Sequence, residues 1–567
     1  MTWIAAHLAP LMFAGLVLLL VTGVPVVFAL IACGLGFALA GIALDVMPPA
    51  LLGALSLRVF GIVSSELLLA IPFFTFMGLV LQRSGMAEDL LETVGQVFGP
   101  VHGGLALAVV AVGALLGATT GVVAASVISM GLISLPVMLR NGYNPRIACG
   151  VIASSGTLAL IVPPSLVLIV VAEQLGTSVG EMYRAALVPA ALLTGLYALL
   201  VGLLALWRPE WLPPLPAQRR TLAQADGSAG YLSLLALVMA SALAGGFMLA
   251  SYPALLRAIG REFAPPADEV FMVGFGGAVL AAFVLALLDA GLRLRWLSPL
   301  SRRVAFVLLP PLLLIFLVLG TVYLGVATPT EAGALGAVGA VLLAVARQRL
   351  TPRNAAQALL ETSKLSCMVM FVLIGATFFS HSFQALDGRL WVEQLFADLP
   401  GGPAGFLIVV TALIFVLGLF LDFFEIAFVL LPLLAPVAQN LGIDLVWFGI
   451  LVGVNLQASF MTPPFGFSLF FLRGVAPRSD KIDSDSGRRM PGIGTNDIYI
   501  GVLPFVGVQV LVLSLLIAWP ALVLRETAPA LLDDAAIERA LQIPAPQVPK
   551  PPIDPMQMLM ESLSMKR

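Results

Sequence analysis

The sequence predicts an all-α polytopic membrane protein with about twelve transmembrane crossings, two re-entrant helical hairpins and inverted-topology repeats. Of its 567 residues, 60% are hydrophobic and 11% are charged, and many apolar runs are long enough to cross the roughly 30 Å hydrocarbon core of a bilayer. Two apolar segments are too long for a single crossing. A block of about 100 residues also recurs about 300 residues later in the chain, which indicates an internal duplication.

Residues 1–85 are expected to form scaffold crossings. Leu8 to Asp45 predicts two crossings, and Glu66 to Leu81 predicts a third. The first apolar run has no basic stretch before it and no convincing cleavage site, so we expect a retained crossing rather than a signal peptide. Arg58 lies in what the pattern predicts to be a connection.

Residues 86–182 form the first repeat. Met86 to Phe98 combines acidic and apolar side chains in the pattern of an interfacial amphipathic helix. Gly103 to Leu139 would measure roughly 55 Å as one helix, so it predicts a hairpin that enters and leaves by the same face, with its tip near Gly117 to Gly121. Pro163-Pro164 then interrupts the next apolar segment and excludes a regular helix there.

Residues 386–478 repeat this order. Leu386 to Leu399 predicts an amphipathic helix, and Pro403 to Asn440 predicts a hairpin with its tip near Gly418 to Asp422. Pro463-Pro464 follows, 300 residues after the first Pro-Pro pair. Irregular backbone at membrane depth is tolerated only where it is buried in protein or lines a cavity. Each break therefore predicts part of a binding site.

The remaining regions are assigned more coarsely. Residues 183–385 predict connecting and scaffold crossings with an inserted pair at about 208–303, residues 479–524 a loop and the last crossing, and residues 525–567 a surface helix or disordered tail. The three cysteines lack the spacing of metal ligands, so we expect no zinc site and no disulfide framework. The net charge of −2 gives no indication of a nucleic-acid partner.

Basic residues predict that the two repeats face opposite ways. Arg140 and Arg146 follow the first hairpin, whereas Gln439, Asn440 and Asp444 follow the second. After the breaks the asymmetry reverses: residues 173–182 contain no basic residue, and residues 473–489 contain five. Because cytoplasmic connections are enriched in Lys and Arg, the first hairpin is predicted to open to the cytoplasm and the second to the opposite side.

Inverted repeats with broken helices can enclose a midplane site that is usable from either face. Helix N-termini attract anions, and opened carbonyls with neighbouring hydroxyls suit a hard cation. The candidate cation ligands are Thr119, Thr120, Ser154, Ser155 and Ser165 in the first repeat and Asn455, Ser459 and Thr462 in the second. Each hydroxyl has a competing interpretation, which is a hydrogen bond to the preceding turn of its own helix.

Carboxylates in apolar runs are costly and commonly functional. Asp422 is the carboxylate nearest a predicted tip, and we consider both ion or gating work and structural hydrogen bonding for it. Glu66 and Glu425 lie in or beside apolar runs as well. Glu331 begins a crossing, where an acidic residue is an ordinary partner of the helix dipole.

Seven short segments resemble a known family, the large membrane (permease) subunit of tripartite ATP-independent periplasmic (TRAP) transporters. They are Ala70-Ile71-Pro72-Phe73-Phe74, Gly142-Tyr143, Ile161-Val162-Pro163-Pro164-Ser165, Ala327-Thr328-Pro329-Thr330-Glu331-Ala332, Asp422, Thr462-Pro463-Pro464-Phe465-Gly466 and Asp497-Ile498-Tyr499. The resemblance covers most of Leu8 to Leu524. The inserted crossings resemble a longer variant of the family.

This resemblance implies an elevator-type symporter of the bacterial inner membrane, with sodium as the coupling ion and no other cofactor. It implies two protein partners, a separate small membrane subunit and a soluble periplasmic protein that delivers a small organic acid. It also implies two ion sites. One lies around Thr119, Thr120, Gly121, Ser154, Ser155, Pro163, Pro164 and Ser165, and the other around Gly418, Asp422, Asn455, Ser459, Thr462 and Pro463. The family's first tip is often rich in serine, whereas this chain has Thr119-Thr120.

Three other functions compete with this one. A self-sufficient sodium- or proton-coupled carboxylate or anion transporter with similar hairpins differs only in needing no partners. A channel is disfavoured because the sequence shows no continuous ring of polar pore residues. An enzyme is disfavoured because no nucleophile with a base and no metal cluster is visible.

Overall fold

The structure is a computed structural model of the chain. It describes residues 3–4, 7–216, 220, 222, 230–258, 260, 265, 267–397, 400–482 and 489–524. The predicted C-terminal tail at 525–567 lies outside the described residues, as do parts of the loops beside the inserted crossings.

Four helices precede the first repeat. They are α1 (Leu8–Val21), α2 (Val26–Ala43), α3 (Ala50–Val63) and α4 (Ala70–Arg83), and a 3₁₀ turn at Glu66–Leu69 leads into the last of them. The prediction that Arg58 lies in a connection is wrong, because it lies within α3. That helix follows Pro48-Pro49 and buries only Leu55, so an amphipathic pattern could not have revealed it.

Both repeats have the predicted order of elements. The first contains α5 (Met86–Val97), α6 (Gly104–Thr120), α7 (Val123–Arg140), α8 (Pro145–Thr157), a 3₁₀ turn at Leu158–Leu160 and α9 (Leu166–Leu175). Between the repeats lie α10 (Val179–Trp207), α11 (Tyr231–Ala258), α12 (Ala267–Leu292), α13 (Pro299–Tyr323), α14 (Pro329–Ala346) and α15 (Pro352–Ala385).

The second repeat contains α16 (Gly388–Ala397), α17 (Gly402–Leu417), α18 (Phe423–Val429), α19 (Leu431–Asn440), α20 (Leu445–Phe460) and α21 (Phe467–Val475). The antiparallel strands β1 (Lys481–Ile482) and β2 (Arg489–Met490) follow, with Lys481 paired to Met490. The last helix is α22 (Thr495–Ala518). Unlike its counterpart α7, the return arm of the second hairpin bends by 51° between α18 and α19.

Ten helices among the described residues are long and apolar enough to cross a membrane, or eleven when the bent pair α18 and α19 is added as one span. This confirms the all-α polytopic class. The ten include α7, which is one arm of the first hairpin. They leave out α1 and the two broken helices, α8 with α9 and α20 with α21, whose segments are shorter. The predicted count of about twelve includes these three crossings and leaves out α7.

Each hairpin packs on the broken helix of its own repeat in the same way. A Cβ added to Gly117 would lie 2.9 Å from Ala159 N, and one added to Gly418 would lie 2.4 Å from Ser459 Oγ. Both distances are too short for a side chain, so the first arm of each hairpin can approach its broken helix only because it carries glycine there. The two contacts lie about 300 residues apart and support the internal duplication.

Ion pairs attach α5 to the helices between the repeats. Glu92 pairs with Arg303 of α13 at 2.6 Å. Asp89 lies 3.4 Å from both Arg347 and Arg349, which follow α14. Ion pairs thus tie the amphipathic helix before the first hairpin to the helices between the repeats, and the chain leaves it through Gly103, whose φ of 77° is left-handed.

Polar contacts hold the inserted helices α11 and α12 together at one end and attach them to α13 at the other. Tyr252 donates a hydrogen bond to Glu269 at 2.6 Å at one end. Asp289 pairs with Arg302 of α13 at 2.8 Å at the other end. The Asp289–Arg302 ion pair therefore fixes the insert against α13, and a small separate apolar cluster that includes Val279, Ala286 and Leu309 packs between them.

The last helix α22 packs against the first broken helix. A Cβ on Gly150 would lie 2.0 Å from Gly501 O, and one on Gly501 would lie 2.0 Å from Arg146 O, so the two backbones cross in close contact. Arg146 also pairs with Asp497 at 3.0 Å. The helix that follows the second repeat is thus fixed to the first.

Candidate functional site

A cavity of about 840 Å³ separates the two hairpin tips from the scaffold. Residues 121–124 of the first tip and residues 417 and 420–425 of the second line it, together with parts of α1, α2 and α15. Leu160 and Phe460, at the ends of the two broken half-helices, also reach it. The predicted tips and the predicted breaks therefore meet at one cavity.

The first tip is short and carries no charge. The helix α6 ends at Thr120, Gly121 has a φ of 59°, and α7 begins at Val123 with no side-chain cap. The backbone N–H groups in the first turn of a helix have no intrahelical acceptor. The first tip therefore presents a partial positive charge to the cavity, and residues 121–124 themselves contain no carboxylate.

The second tip is capped by its own carboxylates. Asp422 Oδ1 accepts a hydrogen bond from Phe423 N at 2.7 Å, and Glu425 Oε2 accepts one from Asp422 N at 2.9 Å. Together they form a reciprocal capping box at the start of α18. This confirms structural hydrogen bonding for Asp422, and its predicted role as an ion ligand stays a prediction. Glu331 caps α14 with Thr328 in the same way, as predicted.

The first break is held open by side-chain hydrogen bonds. The chain leaves α8 at Thr157, and α9 begins only at Leu166. Ser165 Oγ lies 3.0 Å from both Ala159 O and Leu160 O, and Tyr183 OH donates to Ser165 O at 3.3 Å. The Pro163–Pro164 peptide bond is cis.

The second break has a matching arrangement. Ser468 Oγ donates to Phe460 O at 2.8 Å, and Tyr499 OH donates to Pro464 O at 2.9 Å. The Pro463–Pro464 bond is also cis. In each repeat, one serine hydroxyl near the break and one tyrosine hydroxyl from the following helix bond to backbone carbonyl oxygens of the break. Sequence analysis missed Ser468 and the roles of Tyr183 and Tyr499, because no pattern in the chain connects a tyrosine with a carbonyl 18 or 35 residues away.

Most predicted hydroxyl ligands bond to their own helix. Thr119 donates to Leu116 O, Ser154 to Val151 O, Ser459 to Leu456 O and Thr462 to Ala458 O, at distances of 2.7–3.1 Å. The competing interpretation, a hydrogen bond to the preceding turn of the same helix, is thus correct for the protons of these four hydroxyls. The Thr120 side chain lies outside the described part. A hydroxyl that donates its proton keeps its lone pairs, so these oxygens are still available to a cation.

Two equivalent positions carry oxygens without a partner. Ser155 and Asn455 lie 300 residues apart, and their side chains are 0% and 1% exposed. Within the described residues, neither Ser155 Oγ nor Asn455 Oδ1 has a hydrogen-bond partner. Asn455 Nδ2 donates to Thr411 O at 2.8 Å on the hairpin arm. Leaving a buried polar atom unpaired costs about 1–3 kcal/mol, so these two oxygens require an explanation.

A buried polar network joins the two repeats where equivalent residues meet. Gln457 Nε2 donates to Thr157 O at 2.8 Å, and these residues are also 300 apart. Gln509 of α22 donates to Gln457 Oε1 at 2.9 Å and to Tyr197 OH at 2.6 Å. No feature of the sequence analysis predicted this network. The 300-residue offset between Thr157 and Gln457 was the available signal for it, because a pseudo-two-fold axis brings equivalent residues of two repeats together.

The family model for "Tripartite ATP-independent periplasmic transporter, DctM component" matches residues 13–522. The chain belongs to this family. The resemblance inferred from short segments is therefore confirmed, and the protein is a TRAP large permease, a multi-pass membrane transport protein rather than an enzyme.

Curated relatives agree with this membership. The C4-dicarboxylate TRAP transporter large permease DctM of Rhodobacter capsulatus is 28% identical over 470 residues, which cover 82% of this chain and 90% of the relative. The protein of the same name from Pseudomonas aeruginosa is 29% identical over 423 residues, or 74% and 80% of the two chains. The ectoine TRAP transporter large permease TeaC of Halomonas elongata is 26% identical over 467 residues, or 81% and 86%.

A crystal structure of the YdaH transporter of Alcanivorax borkumensis covers 83% of this chain and 88% of its own, with 15% identity and a TM-score of 0.49.

Proposed function

We propose that this TRAP large permease is the membrane subunit of a sodium-coupled symporter that imports a small organic acid across the bacterial inner membrane. A periplasmic binding protein delivers the acid, and a small membrane subunit completes the complex. The observation that supports this proposal is the pair of equivalent broken helices beside one cavity. Each carries a buried oxygen, Ser155 Oγ or Asn455 Oδ1, that has no hydrogen-bond partner among the described residues.

A bound sodium ion accounts for these two buried oxygens better than a bound proton does. A hard cation takes several oxygen ligands at once, and each break offers main-chain carbonyls beside hydroxyls that keep their lone pairs. One site would use Ser155 with the carbonyls around Pro163, and the other Asn455 with those around Pro463. A bound cation would give each buried oxygen the partner that the described part of the chain does not supply.

An elevator motion is consistent with how the helices are connected. Glu92 and Asp89 fix α5 to the scaffold through ion pairs. The broken helices and α22 are joined through Gln509 and the Gly150 contact, and each hairpin packs closely on its broken helix at Gly117 or Gly418. We infer that the second group moves as one body against the first, and that Gly103 and Gly401, both with positive φ, are hinges.

Reconstitution tests the proposal. The chain is incorporated into proteoliposomes with its small subunit and binding protein, and uptake of a labelled organic acid is measured under an inward sodium gradient, an inward proton gradient, or neither. Uptake is expected only with the sodium gradient and all three components. Full uptake from a proton gradient in sodium-free buffer would refute sodium coupling. Full sodium-driven uptake by the large subunit alone would support the self-sufficient alternative.

A further inference from the structure

We propose that the cavity between the hairpin tips selects a monocarboxylate with an aromatic or similarly bulky apolar body and binds a C4-dicarboxylate less well. This inference rests on the proposed transport function. The charge distribution of the lining, the aromatic side chains and the volume of the cavity support this assignment independently of one another.

The charged groups of the lining are all acidic. Among the described residues that line the cavity, none is Lys, Arg or His, and the two ionisable side chains are Asp422 and Glu425. Both lie at the second tip, where they already neutralise the N-terminus of α18. A substrate carboxylate is therefore repelled at the second tip. It is favoured at the first tip, where residues 121–124 carry no charge and α7 has no side-chain cap. The cavity thus favours one carboxylate, at the first tip, and offers no favourable position for a second carboxylate at the second tip.

The aromatic side chains of the cavity lie on the side of the second repeat. Six phenylalanines from the second tip and the second break line it, namely Phe420, Phe423, Phe424, Phe460, Phe467 and Phe471. Several form ring pairs, such as Phe460 with Phe467 at 5.2 Å between centroids. The first repeat contributes only small or aliphatic side chains to the same cavity. An aromatic ring held among such side chains gains both apolar burial and edge-to-face contacts.

The volume excludes a close fit to a small acid. At about 840 Å³ the cavity lies near the upper end of the roughly 300–1,000 Å³ typical of pockets that enclose drug-sized ligands. A four-carbon diacid would leave most of this space unfilled, and it would place its second carboxylate among the phenylalanines or beside Glu425. A ring-bearing monoacid fills the aromatic side and leaves its single charge at the first tip.

Equilibrium binding to the purified full chain tests the assignment without the delivery protein. Labelled 3-phenylpropionate and labelled succinate are the probes, each measured in saturating sodium. Saturable binding of 3-phenylpropionate is expected, at least tenfold tighter than that of succinate. Tighter binding of succinate would overturn the inference.

Two variants locate the determinants. Phe420→Ala is expected to weaken 3-phenylpropionate binding at least fivefold, whereas the control Phe275→Ala, at a residue of similar exposure in the inserted crossings, leaves it unchanged; Phe420 is 58% exposed and Phe275 45%. Glu425→Gln keeps the capping geometry but removes a charge. It is therefore expected to reduce the ratio of 3-phenylpropionate affinity to succinate affinity at least threefold. Unchanged binding in both cavity variants would overturn the assignment.

The outcome also separates this inference from the transport proposal. If reconstituted complexes take up succinate with sodium but neither bind nor take up 3-phenylpropionate, the substrate class is wrong and sodium-coupled transport stands. If no acid shows sodium-dependent binding or uptake, the transport proposal fails and the inference fails with it.

Discussion

Replacing Ser155 by alanine is expected to stabilise the sodium-free protein and, at the same time, to weaken its response to sodium. The side chain is fully buried, and its hydroxyl has no partner among the described residues. An unpartnered buried hydroxyl costs about 1–3 kcal/mol, and its removal by a near-isosteric change recovers part of that cost. We therefore expect a gain of about 1 kcal/mol in sodium-free buffer.

The sodium response should change in the opposite direction. A ligand that binds only the folded state at 100 times its dissociation constant stabilises it by about 2.7 kcal/mol. If the loss of one oxygen weakens sodium binding tenfold, which corresponds to about 1.4 kcal/mol, the same sodium concentration stabilises the variant by only about 1.4 kcal/mol. Stability without sodium rises, and the increment produced by sodium falls to about half.

The assay is unfolding of the purified chain in choline buffer during a sodium titration. Ser382→Ala is a matched control, because Ser382 is also 0% exposed and its Oγ also lacks a partner among the described residues, but it lies on α15 away from both breaks. The control should show the gain in stability without the change in sodium response. Identical sodium titrations for the two variants would refute the assignment of Ser155 as a cation ligand.

Three further predictions follow from the breaks, the orientation and the central network. Replacing Pro163-Pro164 or Pro463-Pro464 by Ala-Ala should raise the half-saturating sodium concentration at least tenfold in uptake assays; well-folded variants with unchanged sodium dependence would contradict this. Single cysteines at 140–146 should be labelled from the cytoplasmic side and those at 439–444 from the periplasmic side, and labelling of both from one face would exclude an inverted repeat. Gln457→Leu should lower the unfolding temperature by several degrees, because it leaves Thr157 O unpaired; Gln439→Leu, at a site outside this network, serves as the control.

The sequence was sufficient for features that arise from local chemistry. Proline lacks a backbone N–H, so Pro163-Pro164 and Pro463-Pro464 located the breaks without any knowledge of the fold. An apolar run too long for one crossing located each hairpin, and the structure places the tips at Gly121 and between Leu417 and Phe423, as predicted. The offset of 300 residues established the duplication, because two copies of one fold keep the spacing of their breaks.

Only the tertiary structure decided which oxygens have partners. Ser154 and Ser155 are adjacent, alike and equally buried, yet the first bonds to Val151 O and the second to nothing among the described residues. The difference depends on which face of α8 meets the hairpin arm, and one residue along a helix turns a side chain by about 100°. A periodic apolar pattern cannot resolve this when every face of the helix is buried.

The cavity and its asymmetry were also decided by tertiary structure. Phe420 and Phe467 lie 47 positions apart in the chain and line the same cavity, and Gly121, about 300 residues earlier, lines it as well. The sequence determined that two inverted repeats would place two breaks near one midplane. Which side chains face each other across that plane depends on the packing of helices that are remote in sequence, because contact between them is made by shape and burial and leaves no local pattern in the chain.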